Sequence, residues 1–584
     1  MTTRLAAAVL AAISLLGLGI FSPAGAAGPA IMAARAIAVG MTGVGKTVII
    51  GTAVVPFEVR VLGILHNAGP AGDLVLFRAS GPAIKSVGGI AAGMSGSPIY
   101  LRGRLAGALS YTFEASDPTV GLFTPIEDML RVLPTPAPAG AAAPRVFAVA
   151  PTLIGGRVIR RVAVSAWGAR AAAAPDTLVA TPAETPLFVS GLGGGELQTL
   201  ANVLAPMGLA PVAGGSDANL PASLPLEPGS AIGVALLRGD IAAYAIGTMT
   251  YRDGNRMLAF GHPFTGIGPS SYLLMNATIF QVVQGRQQNV KIGAVGSPVG
   301  IVSQDRPAGI GGTIGVMPRM FGVHVHVSDA DGGGAHDYNF QVIPSTEIAP
   351  VVVPVGSQGA IARALNRNGQ GTATVRMVLY GRGLPKPVVR ENMFYSPGAI
   401  ASRALAELPQ AMNLLFDNEF KNVGPTGIDL DVRVTSAQRT ASIVGAVGPH
   451  APVAPGDTVH VRVTVRPYRA EPETQDVALT IPANAVAGPA TLVVRGVGGG
   501  LPGGGPAGSA QGVQGPGPAT LDDAIKAFET GDKNTDVVVE LTGGLPPRTD
   551  AASGPPAKPS AQWTTPWVVR GRIQLPIVIK GGTH

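Results

Sequence analysis

Residues 40–61 read "GMTGVGKTVIIGTAVVPFEVRV", and the fold depends on which half of that stretch decides its structure. The first eight letters fit the phosphate-binding pattern G-x-x-x-x-G-K-[ST], whose chemistry needs a helix after Lys46-Thr47 with its N-terminus facing the phosphates. The residues after Thr47 oppose a helix: Val48, Ile49 and Ile50 are β-branched, Gly51 adds backbone freedom, and Pro56 lacks an amide donor. The stretch therefore reads as a glycine-rich turn running into strands, and no nucleotide is expected there. This points to a mainly β fold, in place of an α/β nucleotide-binding one.

The rest of the 584-residue chain agrees, with 81 Gly and 52 Pro cutting short apolar runs into strand-sized pieces. Such a length predicts several domains. Residues 31–135 form a first β region, with runs such as "DLVLFRA", "SPIYL" and "RLAGALSYTF". It ends in a short helix in "TPIEDMLRVL", opened by Thr124 and Pro125. Residues 134–144, "PTPAPAGAAAP", have the composition of a linker. A second β region spans 145–345, where Asp253-Gly254 between alternating runs predicts a tight hairpin. Residues 346–425 are a mixed helical segment, with an apolar helical face in "SPGAIASRALAELPQAMNLLF". Strands at 427–494 suggest a β-sandwich-like domain. A Gly/Pro linker at 495–518 then leads to a small α+β part at 519–584.

The first 26 residues carry Arg4, an apolar run from Leu5 to Phe21, Pro23 and the small-residue site Ala24-Gly25-Ala26. They read as a signal peptide cleaved after Ala26, with membrane attachment only if the segment is retained. The mature protein is then expected outside the cytoplasm, periplasmic or extracellular. There is no cysteine, so disulfides, thiolate metal sites and a cysteine nucleophile are excluded. The net charge is +7, but only 13% of residues are charged and the basic ones are scattered, so nucleic acid is not an expected partner.

Two places could carry chemistry. In "GGIAAGMSGSPIYLRGRLAGALSYTF", residues 88–113, Gly93 and Gly96 frame Ser95 on a tight turn. A serine nucleophile needs such a turn, a base in reach, and backbone N–H groups aimed at the developing oxyanion. His262, in "LAFGHPF", comes after a strand and is flanked by Gly261 and Pro263. His66 is a loop histidine, while His450, His460 and His584 have no supporting neighbours in sequence. His324 and His326 lie two apart near Asp329, Asp331 and His336, but polar alternation on a solvated strand accounts for them, and no metal or other cofactor is expected.

"GMSGSPIY" with the downstream "GALS" resembles the serine motif of the SpoIVB peptidase family, and "LAFGHPF" resembles that family's glycine-histidine motif. "KIGAVGSPVGIVSQDRPAGIGG" and the opening "AVGMTGVGKTVIIGTAVVPFEVRVLGIL" are also similar to stretches of exported members. The resemblance runs over about 35–315 and implies a chymotrypsin-like double β-barrel. It implies Ser95 as nucleophile, His262 as general base, Ser110 in the place of a functionally important hydroxyl residue, and the amides of Gly93 and Ser95 as the oxyanion hole. Two positions depart from the family. Ser95 precedes His262, the reverse of the sporulation protease, and Ser80 stands where the family has its aspartate. Asp73, Asp253 and Asp305 are the candidates for a third member. The expected function is an exported bacterial serine endopeptidase acting on envelope or secreted proteins. The alternative is a protease-fold scaffold that binds without effective turnover.

Overall fold

The computed structural model describes residues 30–133, 145–499 and 518–581, except 70, 114–115, 155, 165–173, 183–185, 217–223, 286–287, 368 and 546–558. The predicted signal peptide, the 134–144 linker, residues 500–517 of the 495–518 linker and His584 lie outside the described residues, while Arg495 and Gly496 end a strand. The chain is mainly β, with 55% strand and 14% helix.

The glycine-rich string read as a turn is itself a strand, and of the β-branched residues after it Val48 ends that strand while Ile49 and Ile50 lie in the bend before the next. Thr42–Val48 is a strand, paired antiparallel with Val54–Gly69 in a register that sets Gly45 opposite Phe57. A Cβ on Gly45 would stand 2.1 Å from the Phe57 ring, so this glycine makes room for a core aromatic. From Val54–Gly69 the pairing passes to Gly72–Ser80, Val120–Pro125, Arg104–Thr112 and Pro98–Leu101, which returns to Thr42–Val48. These six strands close into a barrel. Alternate residues, among them Val59, Val61, Phe77, Leu109 and Phe123, fill it.

A second closed circuit of pairings joins Ala231–Gly239, Ala242–Asp253, Arg256–Ala259, Gly309–Ile314, Asn289–Arg306 and Gly268–Val283, which pairs back to the first. Asp253 pairs with Arg256 around a two-residue turn in which Gly254 has φ +59°, as the sequence requires. The same sheet continues through Gly334–Val342, Phe321–Asp329, Gly424–Thr435, Gly371–Arg382 and Val388–Ser396. Helices Ala349–Leu365 and Leu408–Phe416 contribute to the same apolar core as these strands. The segment read as mixed and helical thus supplies two strands of the large sheet.

The sandwich boundaries also differ from the sequence reading. Gly424–Thr435, expected to open the sandwich domain, pairs in parallel with Phe321–Asp329 and belongs to the large sheet. The sandwich proper consists of two four-stranded sheets whose strands run from Thr440–Val447 to Arg572–Ile579. The C-terminal part is no separate unit, because Asp536–Thr542 and Arg572–Ile579 both pair with Gly488–Gly496. Long-range pairing of this kind leaves no local sequence signal. No helix among the described residues is long and apolar enough to cross a membrane.

Candidate active site

The serine turn belongs to the barrel by sequence and to the second sheet by contact. Ala91–Ala92 adds in parallel to Asn289–Val290, and the chain then turns through Gly93 and Gly96, at φ +89° and +91°, into the barrel strand Pro98–Leu101. These torsions disfavour any side chain. At Gly96 space also forbids one, because a Cβ would stand 1.9 Å from the Thr248 carbonyl and 2.6 Å from the Phe260 amide. Strand Ala242–Asp253 grips the turn directly. The Thr248 amide donates to the Ser95 carbonyl at 2.9 Å, the Thr248 hydroxyl to the Gly93 carbonyl at 3.1 Å, and the Thr250 hydroxyl to the Gly96 carbonyl at 2.7 Å.

The histidine loop is held in the opposite sense. It leaves the second sheet after Ala259, passes Phe260 and Gly261 with positive φ, and packs on barrel strand Arg104–Thr112, where a Gly261 Cβ would meet Ser110 and the Ala108 and Leu109 carbonyls within 3.2 Å. The Thr124 hydroxyl donates to the Gly261 carbonyl at 2.7 Å and lies 2.9 Å from Ser110 Oγ. The barrel therefore carries Ser95 and Ser110 and the second sheet carries His262, and each clasps a loop of the other. Ser95, Ser110 and His262 are all wholly buried.

Within the turn, the Met94, Gly96 and Ser97 amides are engaged by the carbonyls of Ala91, Leu109 and Met94. No turn hydrogen bond from the Gly93 or Ser95 amide is found among the described residues. Ser95 Oγ is buried with no hydrogen-bond partner among them, an uncommon and costly state for a hydroxyl. His262 Nδ1 lies 2.7 Å from its neighbour's carbonyl, that of Pro263. An N–H donated there puts the lone pair of the neutral ring on Nε2. Burial drives the His262 pKa down to about 4, against the opposing pull of that carbonyl, so the ring is neutral at physiological pH.

The three candidate carboxylates lie in different places. Asp73 is 2.9 Å from His66 Nδ1 and accepts the Asn67 amide on the surface. Asp253 pairs with Arg256 beside its hairpin. Asp305 is wholly buried and sits under the loop after His262, accepting the Phe264, Thr265 and Gly266 amides at 2.7–2.9 Å as well as the Thr265 and Tyr272 hydroxyls. Burial pushes its carboxyl pKa up, and the amide hydrogen bonds oppose that rise. Ser80, at the family's aspartate position, donates to Glu58 at 2.8 Å in an exposed setting.

His324 Nε2 and His326 Nδ1 both lie 2.9 Å from Asp337 Oδ1, and His336 from the Gly333 carbonyl at 3.0 Å. Among the described residues no group of three or more His, Asp or Glu side chains is placed to hold a metal. Thr124, expected only to open a helix, lies in strand Val120–Pro125, while Thr248, Thr250 and the Pro263 carbonyl escaped the sequence reading. Threonines facing inward from strands look like ordinary β formers, and a carbonyl leaves no letter.

A glycine-framed serine and a neutral histidine carried on turns where a barrel meets a second closed sheet are features of a β-barrel serine peptidase. Residues 28–130 match the family model of the SpoIVB peptidase S55. The match contains Ser95 and Ser110, and His262 lies beyond it. No curated protein and no solved structure matches the chain.

Proposed function

We propose that the protein is an exported serine endopeptidase acting on envelope or secreted proteins. Ser95 Oγ attacks a peptide carbonyl while His262 Nε2 takes its proton. The Gly93 and Ser95 amides stabilise the resulting oxyanion, and the imidazolium then protonates the leaving amine. Water repeats the sequence to free the acyl group. The Pro263 carbonyl fixes the ring tautomer, the service a carboxylate gives in a triad, without a negative charge to stabilise the imidazolium. Asp305 acts one step further out, by shaping the loop that presents the ring. The observation that carries this reading is the unpartnered Ser95 hydroxyl on a turn packed against the histidine loop. The family match supports peptidase chemistry, and the N-terminal segment supports export.

A second reading, a scaffold that keeps the fold without turnover, is favoured by one fact: Ser95 and His262 are wholly buried, so no peptide reaches them without some opening. A fluorophosphonate probe separates the two. Labelling of the wild type, lost by several orders of magnitude in Ser95→Ala and retained in Thr42→Ala, supports the peptidase. A folded wild type that takes up no label is the scaffold's result.

A further inference from the structure

Lys291 is wholly inside the protein, 1% exposed, on the strand that pairs with the segment leading into the serine turn. Its Nζ donates to the hydroxyl of Thr47, itself fully buried, at 2.9 Å. Its stem lies against Gly93, where a Cβ would stand 3.2 Å from Lys291 Cβ and 3.3 Å from its Cδ. Burial alone accounts for a lysine pKa lowered to about 7, with no carboxylate contributing. An apolar side chain of this length would fill the space without the cost of desolvating an amine, so stability gives no reason for a lysine here. Strongly perturbed groups that stability does not explain concentrate at functional sites.

We propose that Lys291, anchored by Thr47, is a positioning residue of the serine site, holding Gly93 so that its amide faces the oxyanion formed at Ser95. The Gly93 peptide is fixed from three sides: the Thr248 hydroxyl on its carbonyl, the parallel pairing of Ala91–Ala92 with Asn289–Val290, and the Lys291 stem against its α-carbon. Only the third depends on Thr47. The stem keeps this path because its amine has an acceptor at the far end, on the barrel strand Thr42–Val48. Thr47, the last letter of the phosphate-loop-like string, thus ties the first barrel strand to the oxyanion turn.

The inference rests on Ser95 being the nucleophile, and the test keeps the two apart. Full-length wild type and Lys291→Met are titrated with a fluorophosphonate probe, and the maximal labelling rate is separated from the half-saturating concentration. The maximal rate is expected to fall on the order of tenfold, less than the loss of an oxyanion donor itself. The half-saturating concentration should stay within about twofold. Thr47→Val should slow labelling in the same direction, and Thr47→Ser, which keeps the hydroxyl, should restore it. If Lys291→Met fails to fold, Thr47→Val carries the same test with the lysine in place. Undiminished labelling in a folded Lys291→Met, or in Thr47→Val where only that variant folds, overturns the inference alone. A wild type without label, or a Ser95→Ala that still takes it, overturns the serine reading and this inference with it.

Discussion

Gly40-Met41-Thr42-Gly43 and Gly93-Met94-Ser95-Gly96 are nearly the same tetrapeptide, and the fold uses them in opposite ways. Gly40 and Gly93 share a positive φ, +86° and +89°, so the local backbone begins alike. Around Gly40 there is open space, with nothing within 4 Å of an added Cβ, and Thr42 is exposed at the start of a strand. Around Gly93 and Gly96 the second sheet closes in, with Lys291, the Ile246 carbonyl, the Thr248 carbonyl and the Phe260 amide all near. A small hydroxyl residue between two glycines is the starting material in both. It becomes a candidate nucleophile only where a second element buries it and fixes the carbonyls of its turn.

The difference is sharpest between Gly40 and Gly96. Gly40→Ala meets only the torsional penalty of a left-handed L-residue, about 1–2 kcal/mol, read by urea unfolding. Gly96→Ala adds to that penalty a collision with backbone 1.9 Å away, which no side-chain motion relieves. A loss of about 3 kcal/mol or more is expected, as overpacking compounds the torsion, together with loss of probe labelling. Equal costs at the two sites would mean the second sheet does not press on the serine turn, and the comparison would fail.

A smaller effect separates a buried base from an exposed one. With His262 at about 4 against an ordinary 6.5, the labelling rate should hold as pH falls through 6 and decline only near 4, where Nε2 takes its proton. Stability has the same sign. Between about 6.5 and 4 the unfolded chain binds a proton that the folded ring refuses, so the fold weakens as pH drops across that window. His262→Gln should flatten that part of the pH–stability curve. An acid limb near 6.5 would show that solvent reaches the ring.

Much of this arrangement was legible in the sequence. The β-branched run after Thr47 excluded the phosphate-loop helix, and the glycines around Ser95 marked a turn that tolerates little else. The clasp was not legible, because it is made of pairings between residues about 140 to 155 positions apart, such as Thr124 with Gly261 and Thr248 with Gly93. Nor was the Pro263 carbonyl, which any residue would supply. Lys291 did leave a trace. In "NVKIG" the lysine is buried and the neighbouring Ile292 exposed, the reverse of what an amphipathic strand gives. A charge at the inward phase of a strand is a readable anomaly, but its partner Thr47, 244 residues away, is not.

The smallest expected effect concerns Lys46, the residue that would grip a phosphate if the opening letters meant what they spell. It is exposed, and its Nζ lies 5.5 Å from the centroid of the Tyr100 ring, on the barrel strand paired with its own. An exposed cation over an aromatic face contributes about 0.5–1 kcal/mol. Lys46→Ala should therefore lower stability by no more than that and leave fluorophosphonate labelling unchanged, while magnesium–ATP should leave the melting temperature of the wild type where it was. A nucleotide-dependent shift abolished by Lys46→Ala would break the comparison from the other side. It would require a phosphate to bind along a strand whose amides are committed to pairing with Val54–Gly69 and Pro98–Leu101, with no helix N-terminus after Thr47 to receive it.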